Sequence, residues 1–134
     1  MDWKLELIVV PVADIDRAKA FYLEQAGFDL LVDVSAGETF RVVQLTPPGS
    51  ACSIALMRND SAPGSLQGLH LVVPDIEQAR AELAGRGAAV GDFVHYVDGA
   101  EQPGVDPNRA SYNSFFTFAD PDGNGWLVQE VHRD

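Results

Sequence analysis

Two segments of the chain each join a short apolar run to a helical pattern of apolar positions. Leu5–Val12 and Leu69–Val73 are rich in β-branched residues, a composition typical of strands. Asp14 and Asp75 follow these runs and stand immediately before residues whose apolar positions repeat at helical spacing. An aspartate at that place caps a helix, because its carboxylate accepts hydrogen bonds from free N–H groups of the first turn. The pattern therefore predicts two strand–helix units.

The two units are copies of one pattern. Asp14 aligns with Asp75 at an offset of 61 residues, close to half of the 134-residue chain. The same offset pairs residues of similar character, namely Ile8 with Leu69, Ile15 with Ile76, Ala18 with Ala79 and Lys19 with Arg80. An offset of this size favours a duplicated architecture over a chance similarity between two strand–helix units.

After each helix, the pattern changes to strands. The predicted strands are Phe28–Val34, Phe40–Thr46 and Ser53–Met57 in the first half, and Ala89–Val94, Tyr112–Phe118 and Trp126–Val131 in the second. Each half is therefore predicted as a βαβββ module, with residues 1–60 and 61–134 as two modules of a single domain. Val97–Ser111 is rich in Gly, Pro, Asp and Asn and predicts a long loop, which is either a lid over a site or simply mobile.

This organisation resembles a known superfamily. Two βαβββ units, with VADIDRAKAFY after the first strand and FADPDGNGW before the last, are similar to the vicinal oxygen chelate (VOC) superfamily. That superfamily includes glyoxalase I, extradiol dioxygenases, fosfomycin-resistance enzymes and bleomycin-resistance proteins. The resemblance implies an α+β fold, in which each module forms a curved half-barrel sheet and two modules enclose a pocket, within one chain or between two chains. It also implies a homodimer.

The resemblance further implies where a metal would be bound. The ligand positions of the metal enzymes in this superfamily fall on Leu7, Gly68, the strand Ser53–Met57 and Leu127. None of these supplies the imidazole, carboxylate or thiolate donors that divalent first-row metals require. We therefore predict no cofactor at the usual place, with a divalent metal elsewhere as the alternative.

His70 is the most informative polar residue near those positions. Alternation along its strand places it on the same face as Gly68, which is the pocket face that the resemblance implies. Gly68 leaves room for a ligand beside the imidazole. His70 is therefore either a ligand-binding residue or a histidine satisfied by a neighbouring polar group.

Gln129 and Glu130 end the last strand on opposite faces. Regular alternation sends Gln129 inward with Leu127, whereas a bulge at Gly125 would send Glu130 inward instead. In the second case, His70 and Glu130 could form an acid–base pair or a displaced metal site, and they are the two candidate catalytic residues.

Four further residues are candidates for ligand binding, namely Tyr112, Phe116, His95 and Gln44. By alternation, one face of the predicted strand carries Tyr112, Phe116 and Phe118. These rings either form an aromatic wall for a flat or cationic ligand or pack in the core. His95 and Tyr96 precede the long loop and either line the mouth of the pocket or end a strand. Gln44 could offer its amide to the pocket from the third strand.

The charge and the composition of the chain limit the classes of molecule that it could bind. Lys and Arg total 9 against 20 Asp and Glu, which gives a formal charge of −11. Such a chain is predicted to bind neither nucleic acid nor an anionic membrane, while a cationic or neutral small molecule stays possible. Cys52 is the only cysteine, which excludes an internal disulfide and a cysteine-rich zinc site. The chain start lacks a signal-peptide pattern and no apolar stretch approaches ~18 residues, so we expect a cytoplasmic protein.

Two functions from different classes follow. The first is a glyoxalase/bleomycin-resistance-like protein that binds a small molecule in a pocket between the modules, without the usual metal. The second is a VOC-type lyase, isomerase or dioxygenase with a non-standard metal site around His70 and Glu130. A regulatory or interaction domain is a third possibility. The sequence leaves open whether the protein is an enzyme, and it does not identify the ligand.

Overall fold

The structure, a computed structural model, describes residues 1–58 and 61–133. The predicted module boundary at residue 60 lies outside the described residues. The chain forms two compact units, Met1–Leu66 with Asp120–Asn124, and Gln67–Ala119 with Gly125–Asp134. No helix in the described part of the chain is long and apolar enough to cross a membrane.

The first unit contains one helix and a four-stranded sheet. Its elements are β1 (Leu7–Pro11), α1 (Ile15–Ala20), a π-helical turn (Phe21–Gln25), β2 (Asp29–Ala36), β3 (Phe40–Thr46) and β4 (Ser53–Met57). The strand order is β1-β4-β3-β2, with β1 parallel to β4 and the other pairs antiparallel.

The second unit contains one helix and a five-stranded sheet. Its elements are β5 (Leu69–Val73), α2 (Ile76–Gly85), β6 (Val94–Val97), β7 (Ala100–Pro103), β8 (Phe115–Ala119) and β9 (Gly125–Glu130). The strand order is β5-β9-β8-β6-β7, with β5 parallel to β9. Two helices with two mixed, curved sheets confirm the predicted α+β fold.

Both helices begin where the sequence predicts. The carboxylate of Asp14 accepts a hydrogen bond of 3.1 Å from the backbone N–H of Arg17, and Asp75 accepts one of 3.1 Å from Gln78. These bonds satisfy N–H groups that have no partner within the first helical turn.

The second sheet differs from the predicted one by an additional hairpin. β6 and β7 pair within the segment predicted as a long loop, and Asp98-Gly99 joins them with φ angles of 50° and 79°. Asp-Gly with two positive φ angles is the combination that a tight type I′ hairpin turn requires. The strand predicted at Ala89–Val94 is reduced to an isolated bridge between Val90 and Phe118.

The DPDGN segment is part of the first unit and is held by a buried polar network. Asp120 and Asn124 are 5% and 0% exposed. The hydroxyl of Tyr22 donates to Asp120 over 2.8 Å, and the Asn124 amide donates to the Pro11 carbonyl over 2.9 Å. The motif is therefore a structural connection that fixes its loop against β1 and the first helix.

Candidate functional site

One face of the second sheet packs against α2, and we call the opposite face the open face. Cross-strand pairs place His70 beside Leu127, and Val72 and Phe115 on either side of Gln129. The open face consists of alternate residues from the four adjacent strands β5, β9, β8 and β6, namely His70, Val72, Leu127, Gln129, Phe115, Thr117, Val94 and Tyr96.

Apolar and aromatic side chains on this face are accessible to solvent. Val72 is 45% exposed and Tyr96 is 44% exposed. The rings of Tyr96 and Phe115 meet edge to face, with centroids 5.7 Å apart. This arrangement uses the attraction between the positive edge of one ring and the negative face of the other. The open face therefore presents an ordered aromatic surface.

His70 is exposed on the open face, as the strand alternation predicts. Its Nδ1 lies 2.7 Å from the carbonyl oxygen of Gly68, so Nδ1 must be the donor in that bond. In the neutral ring Nε2 is then a hydrogen-bond acceptor, and in the protonated ring it is a second donor. The bond to Gly68 fixes the orientation of the imidazole.

Gln129 also lies on the open face. The register of β9 with its two neighbours is continuous from Gly125 to Glu130, so regular alternation holds and no bulge intervenes. The side chain of Gln129 is half-buried, and its amide donates a hydrogen bond of 3.0 Å to the backbone carbonyl of Tyr112.

Glu130 occupies the opposite face, toward α2, and is fully buried. Its carboxylate accepts two hydrogen bonds from Arg109, of 2.9 and 2.6 Å, and one of 2.9 Å from the backbone N–H of Ile76. His132 Nε2 lies 3.2 Å from the same carboxylate. The bonds from Arg109 are the main cause that lowers the pKa of Glu130 to about 2. The predicted acid–base pair or metal site of His70 and Glu130 is therefore not formed, because the two side chains lie on opposite faces.

Arg109 connects this carboxylate to the beginning of α2. Its Nη1 lies 2.5 Å from the Glu77 carboxylate, and its Nη2 lies 3.7 Å from that of Asp75. The carboxylate of Glu130, followed by that of Glu77, raises the pKa of the guanidinium. The network stabilises a buried charge by pairing it, as a buried carboxylate requires.

Of the two alternatives for Tyr112, Phe116 and Phe118, the structure has core packing for Phe116 and Phe118, which share a buried face, and not an accessible aromatic wall. β8 begins at Phe115, so Tyr112 lies outside the strand and does not follow its alternation. Phe116 is 1% exposed and packs edge to face against Phe93 on the α2 side. Phe115 takes the place on the open face that was predicted for Phe116.

His95 and Gln44 also lie apart from the open face. His95 is 7% exposed on the α2 side of β6, and its Nδ1 donates to the Gly104 carbonyl over 2.8 Å. It is a packed, satisfied histidine and does not line an accessible surface. Gln44 belongs to the first unit, half-buried on the face of that sheet opposite α1, between Val32 and Ala55.

Sequence reasoning missed Phe115, Val72 and Thr117. The missing signal was the register of β8 with β9, because the pairing of Phe115 with Gln129 and of Thr117 with Leu127 sends both residues to the face of Gln129. Val72 follows His70 by two residues and shares its face by the same alternation that was applied to His70.

The donor set at the superfamily's metal positions does not fit a divalent metal. Leu7 and Leu127 have hydrocarbon side chains, Gly68 has none, and β4 carries no acid. Within residues 1–58 and 61–133, no group of three or more His, Cys, Asp and Glu side chains could hold a metal ion. A metal at this place would lose its hydration without gaining protein donors.

A separate cavity of about 410 Å³ lies in the first unit, between the start of α1 and the β2–β3 turn. It is lined by Arg41 and Arg58 together with acidic residues. Arg41 is already paired with Asp33 and Asp16, at 3.0 and 2.6 Å. The bonds from Arg41 hold the pKa of Asp33 well below its usual range. These pairs occupy the guanidinium of Arg41, which is therefore not available to an anionic ligand.

Comparisons with known proteins agree with the fold. A sequence model of the Glyoxalase/Bleomycin resistance protein/Dioxygenase superfamily matches residues 4–128. The chain belongs to this superfamily, which is the one that the sequence resembles. The protein YetH of Bacillus subtilis (strain 168) is 27% identical over 127 residues, which cover 92% of this chain and 94% of YetH.

Solved structures include relatives with closely similar folds. TnmS3, an antibiotic binding protein from Streptomyces sp. CB03234, is 34% identical and has a TM-score of 0.75, covering 98% of each chain. A glyoxalase/bleomycin resistance protein from the same organism is 35% identical with a TM-score of 0.72, covering 94% of this chain and 99% of that chain.

Proposed function

We propose that this protein binds a small, planar aromatic molecule on the open face of its second sheet, without a metal ion. The edge-to-face pair of Tyr96 and Phe115 carries the proposal, because ordered and accessible aromatic rings offer a flat ligand a surface for stacking. His70 and Gln129 lie on neighbouring strands and supply the few polar groups that fix the orientation of a ligand.

Charge favours a cationic ligand over an anionic one. The chain has a formal charge of −11, which raises the local concentration of cations and repels anions. Aromatic ring faces attract cations in addition. A flat aromatic cation is therefore the class of ligand that fits both the aromatic rings of the open face and the negative charge of the protein.

The similarity to TnmS3 supports binding as the function. That protein is an antibiotic binding protein, and it shares 34% of its sequence with this chain over 98% of both. An organic compound with aromatic rings is the class of ligand that the accessible aromatic residues of this chain would accept.

The enzymatic alternative loses its structural basis. It required His70 and Glu130 to act together on one ligand, and the two side chains lie on opposite faces of the second sheet. The carboxylate of Glu130 is already occupied by Arg109 and Ile76. No other arrangement of the described residues favours a second candidate function.

The proposal is tested with proflavine, a fluorescent, planar aromatic cation. We expect saturable binding of one proflavine per chain, followed by fluorescence anisotropy. Tyr96→Ala and Phe115→Ala should each weaken binding about tenfold, because each removes one ring of the stacking surface. The anionic dye 1-anilinonaphthalene-8-sulfonate should bind more weakly than proflavine.

Val97→Ala is the matched control. Val97 is 50% exposed and follows Tyr96 directly, so its side chain points to the other face of β6. The control should bind proflavine as tightly as the unmodified protein. No saturable binding by the unmodified protein, or equal losses in Val97→Ala and Tyr96→Ala, would overturn the proposal.

We also infer that the protein is a homodimer. Exposed apolar residues on β2, with Leu31 59% and Val34 49% exposed, are more typical of a protein interface than of a solvated surface. Light scattering at micromolar concentration should give twice the 14.5 kDa mass of one chain. A mass of 14.5 kDa alone would contradict the inference.

A further inference from the structure

The segment between β7 and β8 is ordered by its own side chains. Asp106 is 5% exposed, and its carboxylate accepts hydrogen bonds of 3.0 Å from the backbone N–H groups of Asn108 and Ala110. Its own N–H donates to Ser114 Oγ over 3.0 Å. The bonds that the carboxylate accepts, the one from Asn108 first and then the one from Ala110, lower the pKa of Asp106. The segment is therefore a defined structure on which further residues can be placed accurately.

Two residues of this segment have strained backbones. Arg109 has a φ of 49° and Tyr112 a φ of 73°. This left-handed region is unfavourable for side chains other than those of Gly, Asn and Asp, because Cβ approaches the backbone too closely. Such strain persists only where the surrounding structure over-determines it, and it concentrates at functional sites.

Three connections hold the strained residues in place. Arg109 binds the buried carboxylate of Glu130 with two hydrogen bonds. The N–H of Tyr112 donates to the Glu130 carbonyl over 2.8 Å, and its own carbonyl accepts the Gln129 amide over 3.0 Å. The side chain of Asn113 bonds both the N–H and the carbonyl of Tyr96, each at 3.0 Å.

Two of these connections end on residues of the open face, Gln129 and Tyr96. The backbone of Tyr112 is therefore bonded to Gln129 of the open face, and the adjacent Asn113 is bonded to the backbone of Tyr96. Its side chain is 55% exposed, so the strained backbone is not compensated by burying the ring. An exposed ring on a residue whose backbone is bonded to the open face contributes little to folding but is available to a ligand.

We propose that Tyr112 is a ligand contact and that Arg109 and Glu130 are positioning residues, which hold it at the edge of the open face. This inference rests on the proposed function, since it concerns the same ligand site. The ion pair acts through the backbone of Tyr112 and does not touch the ligand. The ion pair holds Arg109 and Tyr112 in backbone conformations that are unfavourable for these two residue types.

The first experiment separates strain from binding with Tyr112→Gly. Glycine adopts a positive φ without penalty, so we expect thermal stability to stay equal or to rise. Proflavine affinity should fall about tenfold, because the ring is removed. Asp98→Gly is the matched control, since Asp98 has a φ of 50° in the β6–β7 turn. It should also keep or raise stability, and its proflavine affinity should be unchanged.

The second experiment is a double-mutant cycle on proflavine affinity. If Arg109 acts through Tyr112, Arg109→Ala weakens binding in the natural sequence but has no further effect in the Tyr112→Ala background. A merely structural role would give additive losses in both backgrounds. Should Arg109→Ala fail to fold, Arg109→Lys takes its place in the same cycle, because lysine keeps the charge but not the two-point bond to Glu130.

The outcomes distinguish this inference from the proposed function. If Tyr96→Ala and Phe115→Ala weaken proflavine binding while Tyr112→Gly and Arg109→Ala do not, the ligand contact of Tyr112 and the positioning role are overturned, and the proposed function stands. If the unmodified protein does not bind proflavine, the proposed function and the positioning role are overturned together.

Discussion

The backbone N–H of Ile76 donates a hydrogen bond of 2.9 Å to Glu130 Oε2, which joins the end of β9 to the start of α2. Asp75 caps the same turn through Gln78, so the first turn of α2 is held by two carboxylates. Negative charge is favourable at this end of a helix, and Arg109 neutralises the buried one. The role of Glu130 is therefore structural, because its carboxylate binds Ile76 and Arg109. It lies in the strand where the metal enzymes of the superfamily carry an acidic ligand.

Glu130→Gln is expected to destabilise the fold while preserving the size of the side chain. The change removes the charge that pairs with Arg109 and weakens the bond from Ile76. A loss of about 2–3 kcal/mol in the free energy of unfolding is typical of a hydrogen bond to a charged group. Urea denaturation measures it, with Glu101→Gln on the exposed strand β7 as the control. Equal stability of the two variants would contradict the assigned role.

The contribution of Glu130 should depend on pH. Its pKa lies at about 2 in the folded protein, below the ordinary value of 4.5, because Arg109 binds the charged form. A depressed pKa contributes stability that is complete above the unfolded value and is lost as the pH falls through the folded value. The stability difference between the natural protein and Glu130→Gln should therefore be largest above pH 4.5 and shrink toward pH 2. A difference that stays constant over this range would contradict the pairing.

Tyr22→Phe tests the polar network that fixes the DPDGN segment. The substitution removes the 2.8 Å bond to Asp120 and leaves the ring in place. We expect the free energy of unfolding to fall by about 1–2 kcal/mol, since a buried acceptor loses one partner. Tyr96→Phe is the control, because Tyr96 is 44% exposed and its loss of a hydroxyl should leave stability unchanged.

Metal binding at the superfamily's usual position should be weak. Calorimetric titration of chelator-treated protein with Zn²⁺, Ni²⁺ and Mn²⁺ is expected to show no sub-micromolar site, because Leu7, Gly68, β4 and Leu127 offer no donor. A tight site that survives His70→Ala would show that other residues of the chain provide the ligands.

Most of the fold could be predicted because its signals are local. The two aspartate caps and the apolar runs beside them lie within a few residues of each other, so one sequence is enough to place both helices. The hairpin of β6 and β7 was missed because the composition of Val97–Ser111 favours a loop, although Asp98-Gly99 is itself a strong turn signal. The average composition of Val97–Ser111 predicts a loop, whereas the two residues Asp98 and Gly99 determine the hairpin.

The site was harder to predict because it depends on strand register and on distant partners. Alternation correctly placed Phe116 and Phe118 on one face of β8, but alternation alone does not say which face is open, and that depends on the pairing of Phe115 with Gln129. The burial of Glu130 depends on Arg109, which is 21 residues away, and no local pattern indicates that pair. Faces within β9 were predictable, because its alternation is regular from Gly125 to Glu130.

The most direct test of the central claim is a titration of isotope-labelled protein with proflavine, followed by amide chemical shifts. Binding at the open face predicts the largest shift changes at His70, Tyr96, Phe115 and Gln129, which face one surface of the second sheet. His95 and Glu130 lie next to two of these in the chain but face α2, and they should change less. Shift changes confined to β2 and β3 of the first unit, with none at these four residues, would contradict the account.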